Sequence, residues 1–345
     1  MTGYGASVLN NPNIRLLIVV PNWLGDGIMA MPALQVLRER LHPDATISVA
    51  ARPGQVGLWE MHSAITRVIS VPARSGDLLA SARLLKPHGF THAALLPHSF
   101  RSALLPALAG IPNRRGTVSQ CGRRFLIQDP VSLTDYELRH QQWEIAKLLL
   151  PDPLPDDLPS PALSPPVDAQ DHATGILNRY PSPILACIPG AARGPSKQWP
   201  GERFQEVAVS WTKKTGGSVC WLGTPSDAEL CTHLNASLGE HGVSLAGETT
   251  LKTFTAILKN VDHALVNDSG GMHLAAAVGT PLTAIFGNTD PSKTGPLSEN
   301  STVIQHSDQR NRSIDRNSGG ANAALARVTS QEVEEAVLAN FISNA

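Results

Sequence analysis

The chain has 345 residues, more than the roughly 100–200 of one domain, so two domains are expected and a single small binding module is excluded. Its 42% hydrophobic and 17% charged residues exclude a disordered chain. Lys and Arg number 28 against 29 Asp and Glu, a net charge of -1, so no overall field draws the chain to nucleic acid or to an anionic membrane. An anionic partner must be held locally, and no nucleic-acid partner is expected.

The first thirteen residues, MTGYGASVLNNPN, lack both the basic and the apolar region of a secretion signal. No later run approaches the roughly 18 apolar residues of a membrane span. These features predict a cytoplasmic protein with at most peripheral membrane contact. Residues 14–20 (IRLLIVV) read as a strand, PNWLGD as a loop, and about 26–41 as a helix. The same grammar recurs in TISVAAR, RVISVP, a helical 77–86, THAALLP and the helical SALLPALAG. Short apolar strands alternating with helices predict parallel sheets covered on both faces.

Seven of the sixteen residues from Pro151 to Pro166 are proline, which neither a helix nor a central strand tolerates. Alternation resumes with PILACIPG, helical 201–214, GSVCWLG, helical 226–238, GVSLAGE, helical 251–260, HALVND, a helix from about Met272, and LTAIFGN. Residues 307–326 are polar and predict a surface loop. From 329 onward Val333, Val337, Leu338 and Phe341 form the apolar stripe of a terminal helix. The expected organisation is thus a first α/β domain over 1–150, a Pro-rich linker over 151–180, a second α/β domain over 181–328 and a C-terminal helix over 329–345.

Cys121, Cys187, Cys220 and Cys231 show no close pairing and read as buried free thiols. The dispersed tryptophans predict core packing. There is no H-E-x-x-H, no Cys/His cluster, no G-x-S-x-G and no EF-hand loop.

In parallel sheets ligands collect at the carboxyl ends of strands. PNWLGDG (21–27) sets Asp26 between two glycines at the entry to the first helix, as a cap or as a functional carboxylate. IPGAARGPSKQWP (188–200) is a loop after a strand, and its Arg193 and Lys197 suit a phosphate or simply face solvent. VNDSGGMHLAAAVGTP (266–281) runs strand, Asp268-Ser269-Gly270-Gly271 and helix without a break. Its glycines admit a close approach, and the amides opening the helix can bind an anion. This is neither a P-loop nor a G-x-G-x-x-G fingerprint. The loop after the first strand reads P-N-W-L-G-D-G instead of G-x-G-x-x-G, which argues against a dinucleotide-dependent oxidoreductase.

Four blocks in order, PNWLGDGIMAMPAL (21–34), LLPHSFRSALLPALAGIPNRRG (95–116), PGAARGPSKQWPGERF (189–204) and VNDSGGMHLAAAVGTPLTAIFGNTDPSKTGP (266–296), go beyond α/β grammar. With them the sequence resembles the ADP-heptose:lipopolysaccharide heptosyltransferases of glycosyltransferase family 9, more like heptosyltransferase II than I. Two departures stand out. Many members carry a cysteine-containing segment where this chain reads SDQRNRSIDRNSGGANAALA, and the first thirteen residues have no counterpart.

The resemblance implies a GT-B fold, in which two Rossmann-like doubly wound domains face a cleft, the first holding the acceptor and the second the nucleotide-sugar. It implies an inverting glycosyltransferase that moves the second heptose from ADP-heptose to the heptosyl-Kdo inner core of lipopolysaccharide, the alternatives being a first-heptose or other ADP-sugar transferase of the same fold, or a non-catalytic nucleotide-binding member. The acceptor is then an oligosaccharide anchored on lipid A, reached by a monomer peripheral to the cytoplasmic face of the inner membrane. By that resemblance Asp26 is the general base and Lys197, with the amides of Ser269, Gly270 and Gly271, meets the departing diphosphate. Arg193, Thr224, Asp227, Asp268 and His273 join the donor site, Asp227 toward the ribose and Asp268 as an orienting carboxylate. Asn22, Trp23, Ser99 and Arg101 fall in the acceptor loops. The charge split fits an anionic acceptor: residues 1–150 hold 15 Lys and Arg against 9 Asp and Glu, the remainder 13 against 20. No DxD element is present. The expectation is therefore no cofactor and no essential magnesium.

Overall fold

The computed structural model describes residues 6–72, 75–311 and 314–344. Residues 1–5 of the N-terminal stretch, 73 and 74, 312 and 313 of the polar segment, and 345, the end of the expected terminal helix 329–345, lie outside the described residues. The chain divides into two compact units, Met1–Ala162 and Leu163–Ala345.

The first unit comprises α1 (Ala6–Leu9), β1 (Arg15–Val19), α2 (Leu24–Met29), α3 (Met31–Arg40), β2 (Thr46–Ala51), α4 (Val56–Glu60), β3 (Arg67–Ser70), α5 (Leu78–Leu85), β4 (His92–Leu95), α6 (Phe100–Leu108), β5 (Asn113–Gly116), β6 (Asp129–Pro130) and α7 (Gln141–Leu149). Its six strands are parallel in the order β3-β2-β1-β4-β5-β6. Leu16 to Val19 of β1 are all buried, and successive side chains of a strand point to opposite faces, so both faces of the sheet are covered.

The helix expected over 26–41 is two helices. Pro32 has no N–H to donate and its ring crowds the preceding turn, so the chain breaks at Ala30 and restarts. β5, read from NRRG, lacks an apolar run. It persists because Arg115 is buried, pairing with Asp129 at 2.5 Å and donating to the carbonyls of Lys147 (2.9 Å) and Leu148 (3.0 Å) at the end of α7.

The second unit comprises α8 (Val167–Leu177), β7 (Ile184–Ile188), α9 (Gly201–Thr215), β8 (Ser218–Trp221), α10 (Ala228–Asn235), β9 (Gly242–Ser244), α11 (Leu251–Lys259), β10 (His263–Asn267), α12 (Gly270–Ala277), β11 (Leu282–Phe286), α13 (Pro291–Thr294), β12 (Ser301–Gln305), α14 (Gly319–Arg327) and α15 (Ser330–Asn344). Its parallel order β12-β11-β10-β7-β8-β9 is the same as that of the first unit, counted from its own first strand. Trp199, Phe204, Trp211 and Trp221 fill its core, and α15 packs on α9 and β11.

Three boundaries differ from the sequence reading. The division falls inside the Pro-rich stretch, and the expected linker 151–180 contains α8, a helix that belongs to the second unit and packs on α11. The expected loop 307–326 ends in α14, capped by Ser318, whose hydroxyl accepts from the Ala321 amide, and held by buried Ala321, Ala324 and Leu325. Cys121 is exposed, whereas Cys187, Cys220 and Cys231 are buried. Burial pushes the Cys220 and Cys231 thiols up to about 12, so they stay protonated and pack as apolar groups. No helix among the described residues is long and apolar enough to cross a membrane.

Candidate functional site

A doubly wound sheet opens a crevice where its strand order reverses, because the loops after the two central strands leave toward opposite faces. In the first unit the reversal lies between β1 and β4. It brings together the loop 20–23 with the start of α2, and the loop 96–99 with the start of α6. Asn22, Trp23 and Asp26 lie on the first of these, Ser99 and Arg101 on the second.

Asp26 is half-buried in the first turn of α2. The helix is seated by a close approach: a Cβ on Gly27 would lie 3.2 Å from both Leu58 Cδ2 and Trp59 Cζ2 of α4. Gln141, the first residue of α7, donates its Nε2 to Asp26 Oδ1 at 3.4 Å. Asn22 is exposed and Trp23 is half-exposed, the exception to the expectation that tryptophans pack in cores.

The facing loop is fixed by a residue the sequence reading did not single out. Arg123 is fully buried, and its guanidinium donates to the carbonyls of Thr117 (2.6 Å), Pro97 (2.9 Å) and Ser99 and to Ser102 Oγ (2.9 Å). Ser102 Oγ donates to the same turn, at 2.9 Å to the Pro97 carbonyl and 2.7 Å to that of Ser99. Ser99 caps α6, its hydroxyl accepting from the Ser102 amide at 3.2 Å. Desolvation pulls the Arg123 pKa down from its ordinary value, but four oxygens share its charge. Nothing in RRFLI separates Arg123 from a surface arginine, so only packing reveals it.

In the second unit the reversal lies between β7 and β10, and the loops 189–200 and 268–269 meet there. Asn267, fully buried at the end of β10, ties them together: its Oδ1 accepts from the Trp199 amide at 3.1 Å and its Nδ2 donates to the Pro189 carbonyl at 2.7 Å. Lys197 forms an ion pair with buried Asp268 across the same junction. Asp268 therefore orients the lysine, and the lysine offsets the repulsion that a carboxylate alone would exert on an anion at this junction.

α12 begins at Gly270, with Ser269 extended before it and giving no side-chain cap. The buried Ser269 hydroxyl has no hydrogen-bond partner within the protein. The first-turn amides are thus left to an external acceptor, and the helix dipole favours a negative one. A Cβ on Gly271 would lie 2.7 Å from Ile188 Cδ1, so the helix start can approach β7 only with glycine there. His273 is buried in the first turn and a half.

Thr224 and Asp227 sit after β8. Asp227 Oδ2 accepts from the Thr224 amide (2.8 Å) and hydroxyl (2.6 Å). Its carboxyl covers Gly190, where a Cβ would be 2.5 Å from Asp227 Cγ, so it reaches the first loop of this crevice. Arg193 is exposed in the turn of that loop. Arg316, which the sequence reading passed over in its expected loop, lies across Gly194: a Cβ there would be 2.7 Å from Arg316 Cγ, and the Arg316 carbonyl accepts from the Ser196 amide at 3.3 Å. Every candidate residue therefore falls at one of two strand-order reversals or, for Thr224 and Asp227, in the turn that follows the neighbouring strand β8.

Residues 78–322 match glycosyltransferase family 9 (heptosyltransferase). The lipooligosaccharide heptosyltransferase 2 of Haemophilus ducreyi is 33% identical over 315 residues, covering 85% of this chain and 88% of that protein. The lipopolysaccharide heptosyltransferase 2 of Escherichia coli is 30% identical over the same shares of the two chains. Among solved structures, the E. coli ADP-heptose lps heptosyltransferase II superposes with a TM-score of 0.83 at 27% identity, covering 96% of this chain and 99% of that one. A family 9 glycosyltransferase from Veillonella parvula shares the fold, with a TM-score of 0.85 at 21% identity, covering 96% of this chain and 98% of that one.

Proposed function

We infer that this chain, which belongs to glycosyltransferase family 9, the heptosyltransferases, moves L-glycero-D-manno-heptose from ADP-heptose to the heptosyl-Kdo inner core of lipopolysaccharide. The observation that carries the site assignment is the junction of Lys197, Asp268 and the uncapped start of α12. It offers a diphosphate an oriented ammonium and several amides in one place.

In this reading Asp26 takes the proton from the acceptor hydroxyl as the oxygen attacks the anomeric carbon. The carbon–oxygen bond to the β-phosphate breaks in the same step, ADP departs, and the anomeric configuration inverts. Charge growing on the β-phosphate is met by Lys197 and the amides of Ser269, Gly270 and Gly271. Gln141 holds the Asp26 carboxylate from one side. Asp227 is placed for a ribose hydroxyl, Arg193 for the donor phosphates and His273 for the same pocket. Asn22, Trp23, Ser99 and Arg101 take the acceptor, Arg101 by a bidentate contact to a carboxylate or phosphate. The reaction runs without a cofactor or an essential magnesium ion. The enzyme acts as a monomer, peripheral to the cytoplasmic face of the inner membrane, on an acceptor anchored by lipid A.

Calorimetric titration of the full chain with ADP, ADP-heptose, UDP and NAD, first without metal and then with magnesium, tests the donor side. Selective, metal-independent binding of ADP and ADP-heptose is expected. Preference for UDP or NAD, or binding only with magnesium, would overturn the assignment.

A further inference from the structure

Twelve large apolar side chains are exposed among the described residues, and six of them, Leu79, Leu84, Phe100, Leu108, Val118 and Phe125, fall between 78 and 128. That same stretch of 51 residues holds seven Lys and Arg, of which Arg83, Lys86 and Arg124 are exposed, and no Asp or Glu. Elsewhere the two charge signs are mixed.

The packing places five of the six, all but Val118, in one layer. α5 packs on α6, and α6 packs on the turn 123–126. On α5, Ser81, Ala82 and Leu85 are buried, which turns Leu79, Arg83 and Leu84 outward. On α6, Ser102, Ala103, Leu105 and Pro106 are buried, and Phe100 and Leu108 are exposed two turns apart on the outer side. Phe100 borders the turn, since a Cβ on Gly122 would lie 3.3 Å from its Cε2. At the turn itself Phe125 is 87% exposed, the most exposed aromatic residue among the described residues, with Arg124 exposed beside it.

We propose that this outer face of α5, α6 and the turn 123–126 seats the protein on an anionic lipid surface. Apolar tips interleaved with cations match a bilayer interface, where the side chains enter the acyl boundary and the cations meet headgroup phosphates. Arg83 adjoins Leu84, Lys86 follows it, and Arg124 adjoins Phe125. No carboxylate lies within 78–128, and Asp77 at the start of α5 is half-buried, so the face meets an acidic leaflet with little repulsion. The purpose of the docking rests on the proposed lipid-anchored acceptor: Ser99 and Arg101 start the same α6, so a docked molecule holds its acceptor loop at headgroup level.

The test is sedimentation of the full chain with vesicles of phosphatidylcholine alone and of phosphatidylcholine mixed with phosphatidylglycerol. Binding to the mixed vesicles, weakened by salt, is expected. Arg83→Ser/Arg124→Ser should weaken it by about fivefold for each cation removed. Leu79→Ser/Phe125→Ser should abolish it, and Leu138→Ser, an exposed leucine outside the stretch, should leave it unchanged. No binding by the unaltered chain, or equal binding by all variants, overturns the proposal. A change in sedimenting mass of the chain alone on Leu79→Ser/Phe125→Ser also overturns it, by making the face a contact between copies. ADP affinity of the variants, measured by calorimetry, should be unaltered, so failure of the docking face and failure of the donor site give different results.

Discussion

Both units run their strands in the same order and open a crevice at the same reversal, but they hold it in different ways. In the first unit the loops are fixed from behind by neutral acceptors around a buried cation: Arg123 gathers the turn 97–102, and Gln141 meets Asp26 from α7. The side chains left facing out, Asn22 and Trp23, are exposed. In the second unit the crevice is lined by backbone. Gly271 lets α12 close on β7, Asn267 ties two loops, and the charged groups at its centre, Lys197 and Asp268, already satisfy each other. A scaffold that holds a half-buried carboxylate against an amide suits proton abstraction from varied hydroxyls, whereas amides with a paired lysine suit one phosphate geometry.

The sharpest test of that contrast is Asp26→Asn. It keeps the shape and the Gln141 contact but cannot accept a proton, so kcat should fall by about 100- to 10,000-fold. ADP affinity, which the proposed donor site places in the other unit, should be unchanged in calorimetry. Loss of both together would break the division of labour.

Lys197→Met should act on the second unit alone. Removing one partner of a buried pair strands the other charge, at a cost of about 3–5 kcal/mol. The double variant Lys197→Met/Asp268→Asn should recover most of that stability, read from denaturant unfolding, without recovering donor affinity. Recovery of both would reduce the pair to a structural element.

A smaller effect sharpens the comparison through acid. Burial pulls His62 of the first unit down to about 4 and His263 of the second down to about 3. Both are neutral when folded and take up a proton near pH 6.5 when unfolded, so the unfolded state binds more protons below that pH. Each contribution is therefore present in full above about pH 6.5 and is lost as the pH falls, by about 2 kcal/mol at pH 5. His62→Gln should flatten the acid slope of the first unit's transition and His263→Gln that of the second. A slope unaltered in either variant would show that another group drives acid unfolding.

The alternation of apolar runs with helical stretches was enough to predict two parallel α/β domains, because a strand buried on both faces leaves an unbroken hydrophobic signature, as in IRLLIVV and HALVND. The strand NRRG leaves no such signature. Its arginine is held by Asp129 and the end of α7, partners 14 and more than 30 residues away. The motifs around Asp26, Lys197 and Asp268 were legible because their glycines and charges are local in sequence. Pro32 shows the limit of periodicity, since apolar spacing continues across a point where the backbone must break.

The sequence by itself determined the fold class, the family and the short glycine-rich and charged segments that the fold gathers at its two strand-order reversals, all properties encoded within a few residues of one another. Only the tertiary structure decided which polar residues support them: that Arg123 is a buried strut and Arg124 a surface cation, that Asn267 joins two loops, that Lys197 and Asp268 are partners, and that Phe100 and Phe125 share one outer face. Those distinctions depend on which distant groups meet a side chain when the chain folds. Burial and pairing are relations between elements, and neither is written in the local spacing of residues.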